Sequence, residues 1–315
     1  MNWLAQAPAN IALIKYMGKK EGSTNLPDNS SLSYTLNNLL TTVKIQTSAA
    51  SHDQWEPLLD PNQPQLSLST AGQQRYLQHL QRIKSYYTYT GNLLIQSGNN
   101  FPHSSGLASS ASSFAALTRC AVLALSELTQ KEGLSTDLQA KISRAGSGSS
   151  CRSFYTPWAL WTGDTVDAIN LPYMQLDHQV IVISNKEKTV SSSEAHQRVK
   201  TSPLYLTRNA RAEENLKQLL DALQTQDWST AYQICWREFQ DMHDLFSSCT
   251  MPFSYITEAS NQLLNQLRSE WDRVGDGPLI TMDAGPNIHL LYRPDQKELA
   301  QQIKRDYLIG HYDVL

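Results

Sequence analysis

Only four cysteines occur in 315 residues, Cys120, Cys151, Cys235 and Cys249, and none stands in a Cys-x-x-Cys or Cys-x-x-His spacing. Neither a zinc site nor a disulfide framework is therefore indicated. Cys120 and Cys235 fall on apolar helical stripes and read as small core residues. Positive charge is not in excess either, since 26 Lys and Arg face 29 Asp and Glu, giving a net charge of −3. With a pI near 6.2, a nucleic-acid scaffold is not the expected role. No apolar run approaches the roughly 18 residues of a membrane span. The first twenty residues carry Lys15, Lys19 and Lys20 after a short apolar run, which is no signal peptide. The expectation is a soluble, cytoplasmic, globular protein with no nucleic-acid or membrane partner. Three fingerprints are missing as well: Gly-x-x-x-x-Gly-Lys-Ser/Thr, Gly-x-Gly-x-x-Gly and Gly-x-Ser-x-Gly. Their absence argues against a P-loop NTPase, the usual dinucleotide fold and an α/β-hydrolase. Any phosphate bound must be held by local cations and backbone N–H groups.

What is present centres on residues 99–111, a run of small and hydroxyl side chains that feeds into a helical pattern. Phe114, Leu117, Ala121, Leu125 and Leu128 recur at spacings of three and four, one face of an amphipathic helix. A Ser/Gly loop opening onto a helix N-terminus suits an anion, with Gly106 allowing close approach. The same composition fits an ordinary serine-rich N-cap. Before this loop, Trp3–Ile14 reads as strand material broken at Pro8, Ser31–Leu36 and Thr42–Gln46 as two strands, and 51–64 as a surface excursion. Gln74–Ile83 reads as a helix and Tyr86–Ile95 as strand material. A second small-residue loop, Gly146–Arg152, ends in a cation. Beyond a boundary near 180, three helical stripes surround a few strands, among them Ile181–Ile183, Pro278–Met282 and His289–Tyr292. The pattern is α+β in both halves, 1–180 and 181–315. Lys15, Lys19, Arg75 and Arg152 stand beside polar turns, where a cation could neutralise a phosphate, though each alone also reads as solvated charge. Asp283 follows a predicted strand and precedes Ala-Gly-Pro-Asn, a placement suited to a general base and equally to a turn-former.

Six segments occur together and in order: 8–19, 26–33, 100–111, 146–152, 190–193 and 283–287. Together they resemble the diphosphomevalonate decarboxylases of the GHMP kinase superfamily, from about residue 5 to residue 292. The resemblance implies a ribosomal-protein-S5-like N-terminal domain and a ferredoxin-like C-terminal α/β sandwich, with the site in the cleft between them. It implies ATP-dependent conversion of (R)-5-diphosphomevalonate to isopentenyl diphosphate, with Mg2+, by a homodimer. By the same resemblance Asp283 removes or orients the proton of the 3-hydroxyl, and Lys15 supplies the compensating charge beside it. Substrate would be held by Tyr16, Met17, Gly18, Lys19, Arg75, Ser147, Gly148, Ser149, Ser150, Cys151, Arg152 and Ser193. The ATP phosphates would be wrapped by Ser104, Ser105, Gly106, Leu107, Ala108, Ser109 and Ser110, with Ser109 and Ser110 able to contact Mg2+. The chain departs from the family pattern at Met17, where Trp is usual, at His103-Ser104-Ser105, at Ser193, and at Ala195-His196, where Gly-Met is usual. Kinases of the same superfamily acting on mevalonate or phosphomevalonate, a phosphomevalonate decarboxylase and a non-catalytic nucleotide-binding relative are the alternatives.

Overall fold

The chain opens with β1 (Asn2–Ile14), which pairs antiparallel with the 18-residue β2 (Ser31–Ser48). This computed structural model describes residues 1–22, 24–59, 65–101, 109–184 and 188–315. The two strands expected between Ser31 and Gln46 are one. Pro8 faces Leu40 while Ala9 faces Leu36, so Asn37, Asn38 and Leu39 bulge out where Pro8 has no N–H to donate. The expected excursion at 51–64 instead contains β3 (Gln54–Pro57), preceded by the buried Asp53. Residues 60–64 lie outside the described residues.

Next come α1 (Thr70–Tyr87), β4 (Asn92–Asn99), α2 (Ser109–Thr129), α3 (Thr136–Gly146) and the hairpin β5 (Trp158–Thr162) and β6 (Thr165–Ile169). The first sheet runs β3-β4-β2-β5-β6, with β1 also on β2. The strand expected at Tyr86–Ile95 begins later, because Tyr86 and Tyr87 still belong to α1 and Thr88 caps it in the left-handed region. α2 lies along β1 and β2. By length and mean hydropathy it is the one helix among the described residues that could cross a membrane, although it is not a continuous apolar run. Its apolar window is 72% buried inside the protein, which accounts for that composition as a core helix.

The second half begins with β7 (Asp177–Val182), so the expected boundary at 180 falls inside a strand. It continues with α4 (Ser192–Arg198), α5 (Arg208–Gln224), α6 (Trp228–Ser248), α7 (Glu258–Val274), β8 (Leu279–Met282), β9 (Ile288–Tyr292), α8 (Lys297–Ile303) and β10 (Asp313–Val314). Its antiparallel sheet runs β10-β7-β9-β8. The result is a two-domain α+β fold. The halves are not separate cores: Ile11, Leu13, Leu32 and Trp158 pack in one cluster with Val180, Phe239, Ile280 and Leu290.

Candidate active site

Where the two sheets meet, Lys15 follows the last residue of β1 and Asp283 the last residue of β8. Strand ends at a shared core leave little freedom for either side chain. Thr281 Oγ1 donates to Ala12 O at 3.5 Å, joining the strand ends, and Lys15 Nζ donates to Ala12 O at 2.6 Å. The same ammonium reaches Asp283 Oδ1 at 3.1 Å. Lys15 is buried, whereas the Asp283 side chain keeps 25% of its exposure. Burial lowers the Lys15 pKa from the ordinary 10.5, and the charge and hydrogen bond of Asp283 offset this only in part.

The Lys15 backbone is held from both halves of the molecule. Glu238 Oε1 accepts the Lys15 N–H at 3.0 Å, while Arg208 Nη2 and Asn29 Nδ2 donate to its carbonyl at 3.3 and 2.9 Å. Arg208 and Glu238 are an ion pair with no exposed side-chain surface. The segment 26–33 thus supports the site from outside the cleft. Asn29 holds Lys15, Ser31 Oγ accepts from Arg152 at 2.9 Å, and Tyr205 donates its hydroxyl hydrogen to Asp28.

Lys15 and Asp283 floor a cavity of about 360 Å³ between the halves. Of the residues expected to bind substrate, Tyr16, Met17, Lys19, Arg75, Ser147, Gly148, Ser149, Arg152 and Ser193 line it. Ser150 and Cys151 do not. Ser150 Oγ donates to Ser147 O at 2.7 Å, and Cys151 Sγ to Gly148 O at 3.2 Å, both turned inward. Burial pushes the Cys151 thiol up to about 12, so it stays protonated. Gly18 does not line it either, and its backbone stands at φ +103°. Its N–H donates to His196 Nδ1 at 3.0 Å.

The cavity has two ends. Around Asp283 stand Lys15 and the partly buried Lys188, which donates to Ala284 O. Burial lowers the pKa of Lys188, and Asp283 acts against that. At the other end Lys19 Nζ donates to Asn25 Oδ1 at 2.8 Å, and Arg75 Nη2 to Gly146 O at 3.1 Å. Arg152, buried between, donates from Nε to Asn10 Oδ1 at 3.0 Å. Sequence reasoning missed Asn25, Lys188 and Met242, and it assigned no site role to Asn10, within the 8–19 segment, or to His196, noted only as a departure from the family pattern. Asn25 alone carried a signal, because a non-glycine residue with φ of 62° fits Asn.

Ser109 and Ser110, at the start of the described part of α2, line this cavity and a second one of about 470 Å³. The second is walled by Leu66, Leu68, Tyr76 and Phe114 and shares Arg75. The expected phosphate contacts Ser104, Ser105, Gly106, Leu107 and Ala108 lie outside the described residues.

A cleft between two domains, lined by several cations and holding a Lys–Asp pair, is the kind of site that takes a small polyanion in an enzyme. Residues 7–170 match the model of the diphosphomevalonate decarboxylase-like N-terminal domain, and residues 179–311 that of the mevalonate 5-diphosphate decarboxylase C-terminal domain. The chain belongs to the diphosphomevalonate decarboxylase family. It is 63% identical to a mevalonate diphosphate decarboxylase from Legionella pneumophila, whose crystal structure superposes with a TM-score of 0.95 over 100% of both chains. Diphosphomevalonate decarboxylase mvd1 of Aspergillus fumigatus is 33% identical over 95% of this chain and 78% of its own length. A protein designated MDDEF, solved in complex with MVAPP, AMPPCP and magnesium, is 29% identical. Its TM-score is 0.85 over 100% of this chain and 96% of its own.

Proposed function

We propose that the cleft carries out ATP-dependent decarboxylation of (R)-5-diphosphomevalonate, giving isopentenyl diphosphate, ADP, phosphate and CO2. The chain is a carbon–carbon lyase of the mevalonate route to isoprenoids. The observation that carries the residue assignment is the Lys15–Asp283 contact at 3.1 Å on the floor of the cleft.

A tertiary hydroxyl is a poor leaving group, so it is phosphorylated first. Asp283, partly exposed to the cleft, accepts the hydroxyl proton as the oxygen attacks the γ-phosphorus. The ammonium of Lys15 stabilises the charge that develops beside it, in a site from which water is largely excluded. Phosphate then leaves with the C–O bonding pair. The pair from the bond to the carboxylate closes the double bond, and CO2 departs. Lys188, which lines the cavity and acts electrostatically on Asp283, is a second cation for the transferred phosphoryl group.

The substrate diphosphate lies at the Lys19 and Arg75 end, with Tyr16, Met17, Ser147, Gly148, Ser149, Arg152 and Ser193 around it, while Gly18 acts from behind by orienting His196. Ser150 and Cys151 act from behind, by shaping the turn. ATP fits the second cavity. Its apolar walls suit a base, and the shared Ser109, Ser110 and Arg75 lead the phosphates into the first. Among the described residues no three His, Cys, Asp or Glu side chains form a metal cluster. Mg2+ keeps water and substrate phosphates as its main ligands, with Ser109 and Ser110 as protein contacts. When bound, Mg2+ neutralises charge on the transferring phosphoryl oxygens. Four buried free cysteines suit a reducing cytoplasm, and a homodimer is the assembly put forward, to be read by light scattering.

The test uses purified protein, ATP, Mg2+ and carboxyl-labelled diphosphomevalonate. Equimolar ADP and labelled CO2 are expected. ADP without labelled CO2 would replace the decarboxylase by a kinase, and no ADP at all by a binding protein.

A further inference from the structure

The cationic end of the cleft contains an imidazole that the reaction above leaves unused. His196, on α4, is 7% exposed and lines the cavity. Its Nδ1 accepts the Gly18 N–H at 3.0 Å. A ring nitrogen that accepts cannot carry hydrogen, so the bond fixes the tautomer and puts the hydrogen on Nε2. The donor is itself held in place, because Gly18 has φ +103° and a Cβ there would collide with the Tyr205 hydroxyl. The Tyr16 ring, 4.4 Å away between centroids, packs against the imidazole and limits its rotation.

Nε2 has no hydrogen-bond partner among the described residues, and it is not among the polar atoms sealed inside the protein. It therefore meets the cleft as an unused donor. The charged groups acting on it are Lys19, from the turn after β1, and Arg152, from the turn after α3. Glu194, on its own helix, is paired with Arg198. Burial, with Lys19 and Arg152, lowers the His196 pKa well below 6.5, so the ring is neutral at neutral pH. A neutral N–H held rigidly among cations has an anionic oxygen as its natural acceptor.

We propose that His196 is a substrate-recognition residue whose Nε2–H donates to a phosphate oxygen of the substrate at the Lys19 end of the cleft. The proposal rests on the reading that the cleft takes a diphosphate-bearing substrate. It adds to that end, beside Lys19 and Arg75, a neutral donor whose direction is fixed by the Gly18 contact.

His196→Met removes the donor and keeps comparable length. His196→Gln can accept from Gly18 with Oε1 and donate with Nε2. The Met variant should raise KM for diphosphomevalonate about ten- to a hundredfold, with kcat within about threefold of wild type and KM for ATP unchanged. The Gln variant should recover most of that loss. Equal KM values in wild type and His196→Met, or a Gln variant no better than Met, would overturn the proposal. If the variants do not fold, wild-type protein labelled with 15N at histidine is titrated with inorganic diphosphate. A shift of the His196 ring nitrogens supports the proposal and no shift overturns it. Should wild type release no CO2 while diphosphate still moves His196, the decarboxylase reading fails and the recognition role stands.

Discussion

Lys15 and Asp283 are 268 residues apart in the chain and 3.1 Å apart in space. Asp283→Asn keeps the shape and loses the proton acceptor, so turnover should fall by ~10²–10³ or more while KM stays close to wild type. A steady-state comparison with a KM raised tenfold and kcat intact would instead make Asp283 a binding residue. Lys15 supplies a pH test. Its pKa is lowered from 10.5 by burial, so the ammonium is complete only below that lowered value and is lost as pH rises through it. The alkaline arm of kcat/KM, which reports the free enzyme, should therefore fall below pH 10.5, and a profile flat past that value would remove the charge from the mechanism. At this scale the sequence shows residue types beside turns. It does not show side-chain direction: Ser150 and Cys151 share a loop with Ser147 and Ser149 yet turn inward, and His196 stands out in the sequence only as a departure from the family pattern, with nothing to say that its ring faces the cleft.

The elements that carry these residues depend on buried charge as well as apolar faces. Asp53 precedes β3 and accepts from Lys84 on α1 at 2.8 Å and from the Leu93 N–H at 2.7 Å. Polar composition hid this strand, because a paired carboxylate and a solvated one look alike in sequence. Asp53→Ala leaves Lys84 buried and unpaired, which should cost roughly 3–5 kcal/mol, read from the denaturant midpoint. A change under 1 kcal/mol would mean that Lys84 finds water or another partner. Gly148 is a second dependence, since a Cβ there would stand 2.6 Å from the Tyr16 ring. Gly148→Ala should raise KM for diphosphomevalonate more than it lowers the melting temperature; unchanged KM would separate Tyr16 from substrate. The long helices were legible from their three–four periodicity. The β5–β6 hairpin was not, because two five-residue strands around Gly163 give too short a pattern.

Over the whole molecule, composition excluded many classes, and six ordered motifs carried the family and the two-domain fold. The contact between halves was not legible, because a buried core residue looks the same whichever partner covers it. Glu238 and Arg208 belong to the second half but hold the backbone of Lys15, which ends the first strand. Glu238→Gln keeps the shape and removes one charge that raises the Lys15 pKa. The alkaline arm of kcat/KM should then begin at lower pH than in wild type, and an unmoved arm would leave Glu238 a packing role only. The core that joins Leu13 and Trp158 to Phe239 and Ile280 has a further consequence for protein engineering. The two halves of this chain share a core and are therefore not interchangeable cassettes. A chimera joining the first half of this chain to the second half of a distant relative would inherit mismatched surfaces at that seam. Restoring its turnover would require grafting the seam residues together with the domain.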